Sequence, residues 1–92
     1  MDKDKLIGEG NAGEQARFVF QKIFAALAEV GAQRDDIVRV RMYITNPNDA
    51  NAVTSAHAEV FGDVRPTATL LVVAGFIDSA LLVEIEADAI IL

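Results

Sequence analysis

Two segments alternate between apolar and charged residues, and together they restrict this chain to a narrow set of folds. In "DIVRVRMYIT", Val38, Val40, Met42 and Ile44 fall on one side and Arg39, Arg41 and Tyr43 on the other. In "LLVEIEADAII", Leu81, Val83, Ile85, Ala87, Ala89 and Ile91 oppose Leu82, Glu84, Glu86, Asp88 and Ile90. A period of two is the period of a β-strand, so each segment predicts a strand with one apolar face that something must cover. The opposite faces carry complementary charge, basic on one strand and acidic on the other. They can pair across strands on a solvated sheet face, or form a subunit interface or a cleft wall.

The cover is written just upstream. Residues 13–30, "GEQARFVFQKIFAALAEV", place Ala16, Val19, Phe20, Ile23, Phe24, Leu27 and Val30 three and four apart, the spacing of one helix face. Gly31 follows where a helix commonly closes in the left-handed region, and Glu14 faces the positive end of the helix dipole. After the first strand, Asn46 before Pro47 reads as an N-cap with proline at the first helical position. A second helix is predicted to about Phe61, with Val53, His57, Val60 and Phe61 on one side and Gly62-Asp63 at its end. Two more strands, about 67–74 and 81–91, flank a turn around residues 75–79, which predicts a hairpin. The order helix, strand, helix, strand, strand is that of an α+β sheet with both helices on one face.

At 92 residues the chain predicts a single domain, 1–92. Apolar residues make up 52% of it, while a domain this short leaves about a third or more of its surface exposed; that imbalance predicts an oligomer. The formal net charge of −6 argues against nucleic acid as a partner. Cysteine is absent, so thiolate chemistry and a disulfide framework are excluded, and a cytoplasmic location is the expectation. The start "MDKDKLIGEG" does not read as a signal peptide, and no apolar run reaches membrane-spanning length, so no membrane partner is expected.

Gly8, Gly10 and Gly13 spell a literal G-x-G-x-x-G leading into the first helix. A dinucleotide site also requires a full preceding strand and an acid at the far end of the next one. Asp35 and Asp36 stand at the near end instead, and Glu9 would repel a pyrophosphate, so the segment reads as a connector. His57 is the only histidine, with no metal-ligand partner at the right spacing, and reads as a partly buried structural residue. Ser55 and Ser79 lack a nucleophile-elbow motif. Neither a metal nor a cofactor is expected.

Several segments, taken in order, resemble the RidA (YjgF) family of small imine and enamine deaminases. They are "GEQARFVFQKIFAALAEVGAQRDDIVRVRMYIT" with Gln15 at its head, "NDANAVTSAHAEVFGDVRP", and the terminal "LLVEIEADAI". The resemblance implies a chorismate-mutase-like fold, N-terminally shortened because only "KLIGEGN" could represent the family's leading hairpin. It also implies a homotrimer with a small-molecule ligand at the subunit interface. Glu84, the first acid of "VEIE", matches a residue that positions water or substrate, and is the candidate catalytic residue. Thr54 matches a ligand-contacting position on the second helix, and Leu70 matches a strand cysteine. Ala68 stands where active relatives carry the arginine that grips the substrate carboxylate. Arg65 lies three residues earlier, about 10 Å along an extended chain and on the other face, so it is no substitute. Arg41, on the charged sheet face, completes the candidate ligand-binding set.

The resemblance therefore implies a small-metabolite-binding protein with weak imine or enamine deaminase activity. A non-catalytic ligand-sensing module is the alternative, and an endoribonuclease or translation inhibitor the weaker one.

Overall fold

The computed structural model describes residues 8–64 and 66–91. Arg65 and the first three residues of the "KLIGEGN" segment, Lys5, Leu6 and Ile7, lie outside the described residues. The chain forms α1 (Ala12–Glu29), β1 (Ile37–Ile44), α2 (Ala50–Phe61), β2 (Thr67–Val72) and β3 (Val83–Ala89), with single 3-10 turns at Arg34–Asp36 and Pro47–Asp49. No helix among the described residues is long and apolar enough to cross a membrane.

Helix α1 begins one residue before its predicted start. Asn11 caps it, its side-chain oxygen accepting from the Glu14 amide at 3.0 Å. Its end is a Schellman motif: Gly31, at φ +83°, donates to the Ala28 carbonyl, and Ala32 donates to that of Leu27. Asn46 caps the 3-10 turn opened by Pro47, as predicted, and α2 continues from that turn.

Both helices lie on one face of the sheet. Ala16 and Phe20 from α1, and Val53, Ala56 and Phe61 from α2, form one cluster with Val40, Met42 and Ile44 of β1 and Val83 of β3. Phe20 meets Phe61 edge-on at 5.5 Å between ring centroids. A fully buried side chain of this size contributes about 1.5–3 kcal/mol, so these rings hold the helices together more firmly than the exposed Arg17–Glu59 pair does. His57 lies against Phe61 at 4.6 Å and Phe20 at 5.9 Å, and its buried Nε2 has no hydrogen-bond partner among the described residues. Burial lowers its pKa, keeping the imidazole neutral.

The sheet order is β2-β1-β3, with β2 parallel and β3 antiparallel to β1. This corrects the predicted hairpin, because β2 and β3 sit on opposite sides of β1. Residues 73–82, between the two strands, are long enough to carry the chain across the end of β1. The pairing of Arg39 with Asp88 and Arg41 with Glu86 then holds β3 beside β1. Val38 is a second correction. The register slips between Ile37 and Arg39, so Val38 is the extra residue of a bulge and is 44% exposed, while Ile37 takes the core position at 3%. Among the described residues, β2 and β3 each have one edge with no strand beside it.

Among the described residues Gln15 is the one buried polar side chain, at 3% exposure. Its amide nitrogen donates to the carbonyls of Gly8 and Ala80, both at 3.2 Å, and its oxygen accepts from the Leu82 amide at 2.8 Å. The head of α1 is thereby tied to the turn that launches β3. Gly8 closes against the head of α1 at φ +76°, where an added Cβ would lie 2.9 Å from the Gln15 backbone nitrogen; close approach rather than phosphate binding explains that glycine. Replacing Gln15 with Ala strands three backbone groups and should lower the unfolding free energy in urea by about 1–3 kcal/mol. Gln15→Glu should cost more, since a carboxylate facing two carbonyls repels where the amide donates. Equal stability of all three proteins would show that the clamp holds nothing.

Candidate functional site

The sheet face away from the helices carries the charged ladder. Arg39, Arg41 and Tyr43 project there from β1, and Asp88, Glu86 and Glu84 stand opposite them in register on β3. Arg39 binds Asp88 at 2.6 Å, and Arg41 reaches Glu86 at 3.1 Å and Asp88 at 3.9 Å. The Tyr43 hydroxyl donates to the same Glu86 oxygen at 2.6 Å. Alternation places these groups on one face, and the antiparallel register brings opposite charges together.

Glu84 ends the ladder differently. Opposite it stands Tyr43, whose hydroxyl is already committed to Glu86, and among the described residues Glu84 makes no hydrogen bond or ion pair. Its carboxylate opens onto a cavity of about 440 Å³ bounded by Tyr43, Val73, Phe76, Ile85 and Glu86. The site thus joins the end of β1, the start of β3 and the loop between β2 and β3.

The hydrogen bond from Tyr43, and then that from Arg41, hold the Glu86 carboxyl below the usual carboxylate range. The same bond to Glu86 raises the Tyr43 phenol above its ordinary value, and Glu86 likewise raises Arg41. Glu86 is therefore a fixed anion whose lone pairs are occupied on one oxygen, whereas Glu84 has both oxygens available.

Of the candidates from sequence, Glu84 lines this cavity and Arg41 acts on it through Glu86. Thr54 lies on the exposed side of α2, where its hydroxyl donates to the Ala50 and Asn51 carbonyls at 2.9 and 3.2 Å. Ala68 pairs with Val40, and Val40 is fully buried beneath the helices. Paired residues share a sheet face, so Ala68 is on the helix side and Glu84 on the open side. A single chain does not bring these two together. The Leu70 position shares the helix side with Ala68, through its pairing with Met42. Sequence reading assigned no role to Phe76, an aromatic residue inside the glycine-containing turn "AGFIDS", or to Tyr43 beyond its side of the strand. An aromatic side chain in a segment otherwise built for turning is the signal that was available. Among the described residues no three histidine, aspartate or glutamate side chains gather as metal ligands.

The family model for endoribonuclease L-PSP matches residues 1–91. The chain belongs to that family. Its members include the YjgF and RidA proteins that the sequence resembles. An uncharacterized protein of Streptomyces coelicolor is 44% identical over 86 residues, covering 94% of this chain and 64% of the relative. A RutC family protein of Pyrococcus abyssi is 34% identical, covering 90% of this chain and 65% of the relative. The chain thus spans a little under two thirds of the length of these relatives. The crystal structure of a YjgF/YER057c/UK114 family member from Mycobacterium tuberculosis superimposes with a TM-score of 0.83 at 39% identity, covering 86% of this chain and 67% of that one.

The pairing of Tyr43 with Glu86 can be read directly in this L-PSP family chain, because Tyr43 is its only tyrosine and it has no tryptophan. Ultraviolet absorbance should show the phenol ionising above its ordinary pKa of about 10, and Glu86→Gln should move the midpoint back down. In stability terms, Tyr43 contributes below the ordinary phenol range and loses that contribution as pH rises through its raised value. Glu86 contributes above the ordinary carboxylate range and loses it as pH falls through its depressed value. A midpoint unmoved by Glu86→Gln would mean that the pair does not form.

Proposed function

We propose that this chain is a subunit of a cytoplasmic homotrimer that binds a small metabolite at the Glu84 cavity, with weak hydrolysis of imines or enamines as its chemistry. One observation carries the reading: Glu84 is the acid on the open sheet face that no side chain neutralises among the described residues, and it stands at a cavity of about 440 Å³, within the range of small-molecule sites. Family membership supports the same reading.

An unengaged carboxylate can accept a proton from water as that water adds to an imine carbon, and can return it to the departing nitrogen. Such substrates hydrolyse unaided, so orientation of water by Glu84 and exclusion of bulk solvent by Phe76 and Tyr43 are what the protein supplies. Ala68 lies on the far face of its own sheet, so it joins this cleft only if it comes from a neighbouring subunit. Arg39 and Arg41 are engaged by Asp88 and Glu86, and a face whose cations are neutralised offers little to an RNA backbone despite the family's endoribonuclease name.

Binding without turnover is the second reading. It is favoured by Ala68, which places a methyl group where the resemblance implies a substrate-gripping arginine.

Hydrolysis of imines generated in situ, followed with and without the protein, tests the catalytic reading. Enhancement by the wild type should fall by about 10²-fold in Glu84→Gln, the scale of a general base. Enhancement unaffected by that substitution would remove Glu84 from the chemistry. Mass in solution should correspond to three chains.

A further inference from the structure

We propose that the Glu84 cavity takes a small organic cation, an ammonium or iminium group on an apolar body, rather than a carboxylate-bearing metabolite. This rests on reading the cavity as a binding site and names the charge of what it binds. Two carboxylates and no cation line the cavity among the described residues. Glu86 is already offset by Arg41 and by the Tyr43 hydroxyl. Glu84 is not, so an entering ligand meets one net negative charge.

The walls suit the rest of such a ligand. Phe76 and Tyr43 provide aromatic surface, which attracts ammonium ions through the ring quadrupole, and Val73 provides apolar surface; the Ile85 side chain points to the helix side. Among the described residues an anionic ligand would find no free guanidinium at this cavity. Turning Arg41 toward such a ligand would break its contact with Glu86 and leave Glu84 and Glu86 side by side with no cation on either, while Asp88 kept Arg39. The chain's net charge of −6 adds a long-range preference for cations. For an iminium ligand the chemistry balances without a co-reactant: water adds to the carbon, the carbon–nitrogen bond breaks, and a carbonyl and an ammonium ion leave.

Three probes that share one aromatic body and differ in charge separate the possibilities: phenethylamine, phenethyl alcohol and hydrocinnamate. Binding is followed by calorimetry and by amide shifts of Tyr43, Phe76 and Glu84, at low and high salt, in the wild type and in Glu84→Gln. The amine is expected to bind most tightly, to weaken with salt, and to lose about tenfold or more of its affinity in Glu84→Gln, as removal of a charge-assisted contact would do. Unchanged urea unfolding of Glu84→Gln would show that the loss is not structural. Hydrocinnamate binding as tightly as the amine, or amine binding indifferent to Glu84→Gln, would overturn the proposal. If hydrocinnamate or the alcohol shifts the cavity amides while the amine does not, the cation preference falls and the binding site stands. If none of the three shifts them, both fall.

Discussion

The antiparallel register between β1 and β3 decides nearly everything about this molecule's open face. Arg39 opposite Asp88 and Arg41 opposite Glu86 neutralise four charges in two pairs, and the next step along the ladder sets Glu84 opposite a tyrosine. Exposed pairs of this kind add little stability one at a time. Their consequence is selective: a shift by one pair would neutralise Glu84 and leave a different acid open. The same register sends Val40, Met42 and Ile44 to the other face, where Phe20, Val53 and Phe61 cover them. One pairing therefore fixes both the core and the carboxylate left available for binding.

The Gln15 clamp acts on the same feature from the opposite side of the sheet. It holds the Ala80 carbonyl and the Leu82 amide, two residues before Glu84, against the head of α1. A chain emerging from a long loop would otherwise enter β3 loosely. Burying an amide is favourable here because both of its donor hydrogens and its acceptor oxygen are used. The cavity is thus bordered on its β3 side by a segment anchored to the core, and on its other side by the loop that carries Phe76.

Much of this was legible in the sequence. The three- and four-residue spacing of α1 identified Ala16 and Phe20 in the core with Ile23, Phe24 and Leu27 packed against it, but not Val30, which caps the helix and is 70% exposed. Gly31 marked the helix end, and the alternation in β1 and β3 separated apolar from charged faces. Val38 was misplaced because alternation cannot announce a bulge, and Ile37 is an equally good core residue one step away. The hairpin was inferred from a turn-rich segment, yet the complementary charges of "RVR" and "EIEAD" already favoured β3 beside β1. Long-range pairing outweighed local turn chemistry. Gln15 stood out by resemblance, but its role depends on backbone groups 65 and 67 residues away, which sequence does not bring together. The separation of Ala68 from Glu84 was hidden for the same reason, since it follows from the parallel register of β2.

In this family member the open sheet face offers, among the described residues, one unneutralised carboxylate at an aromatic-walled cavity, and the functional account stands on that isolation. A double-mutant cycle in urea tests it most directly, pairing Arg41→Ala first with Glu86→Ala and then with Glu84→Ala. The register predicts measurable coupling for Arg41 with Glu86 and none for Arg41 with Glu84. Coupling of Arg41 to Glu84 as strong as, or stronger than, its coupling to Glu86 would mean that Glu84 is the neutralised acid, and the account would be contradicted.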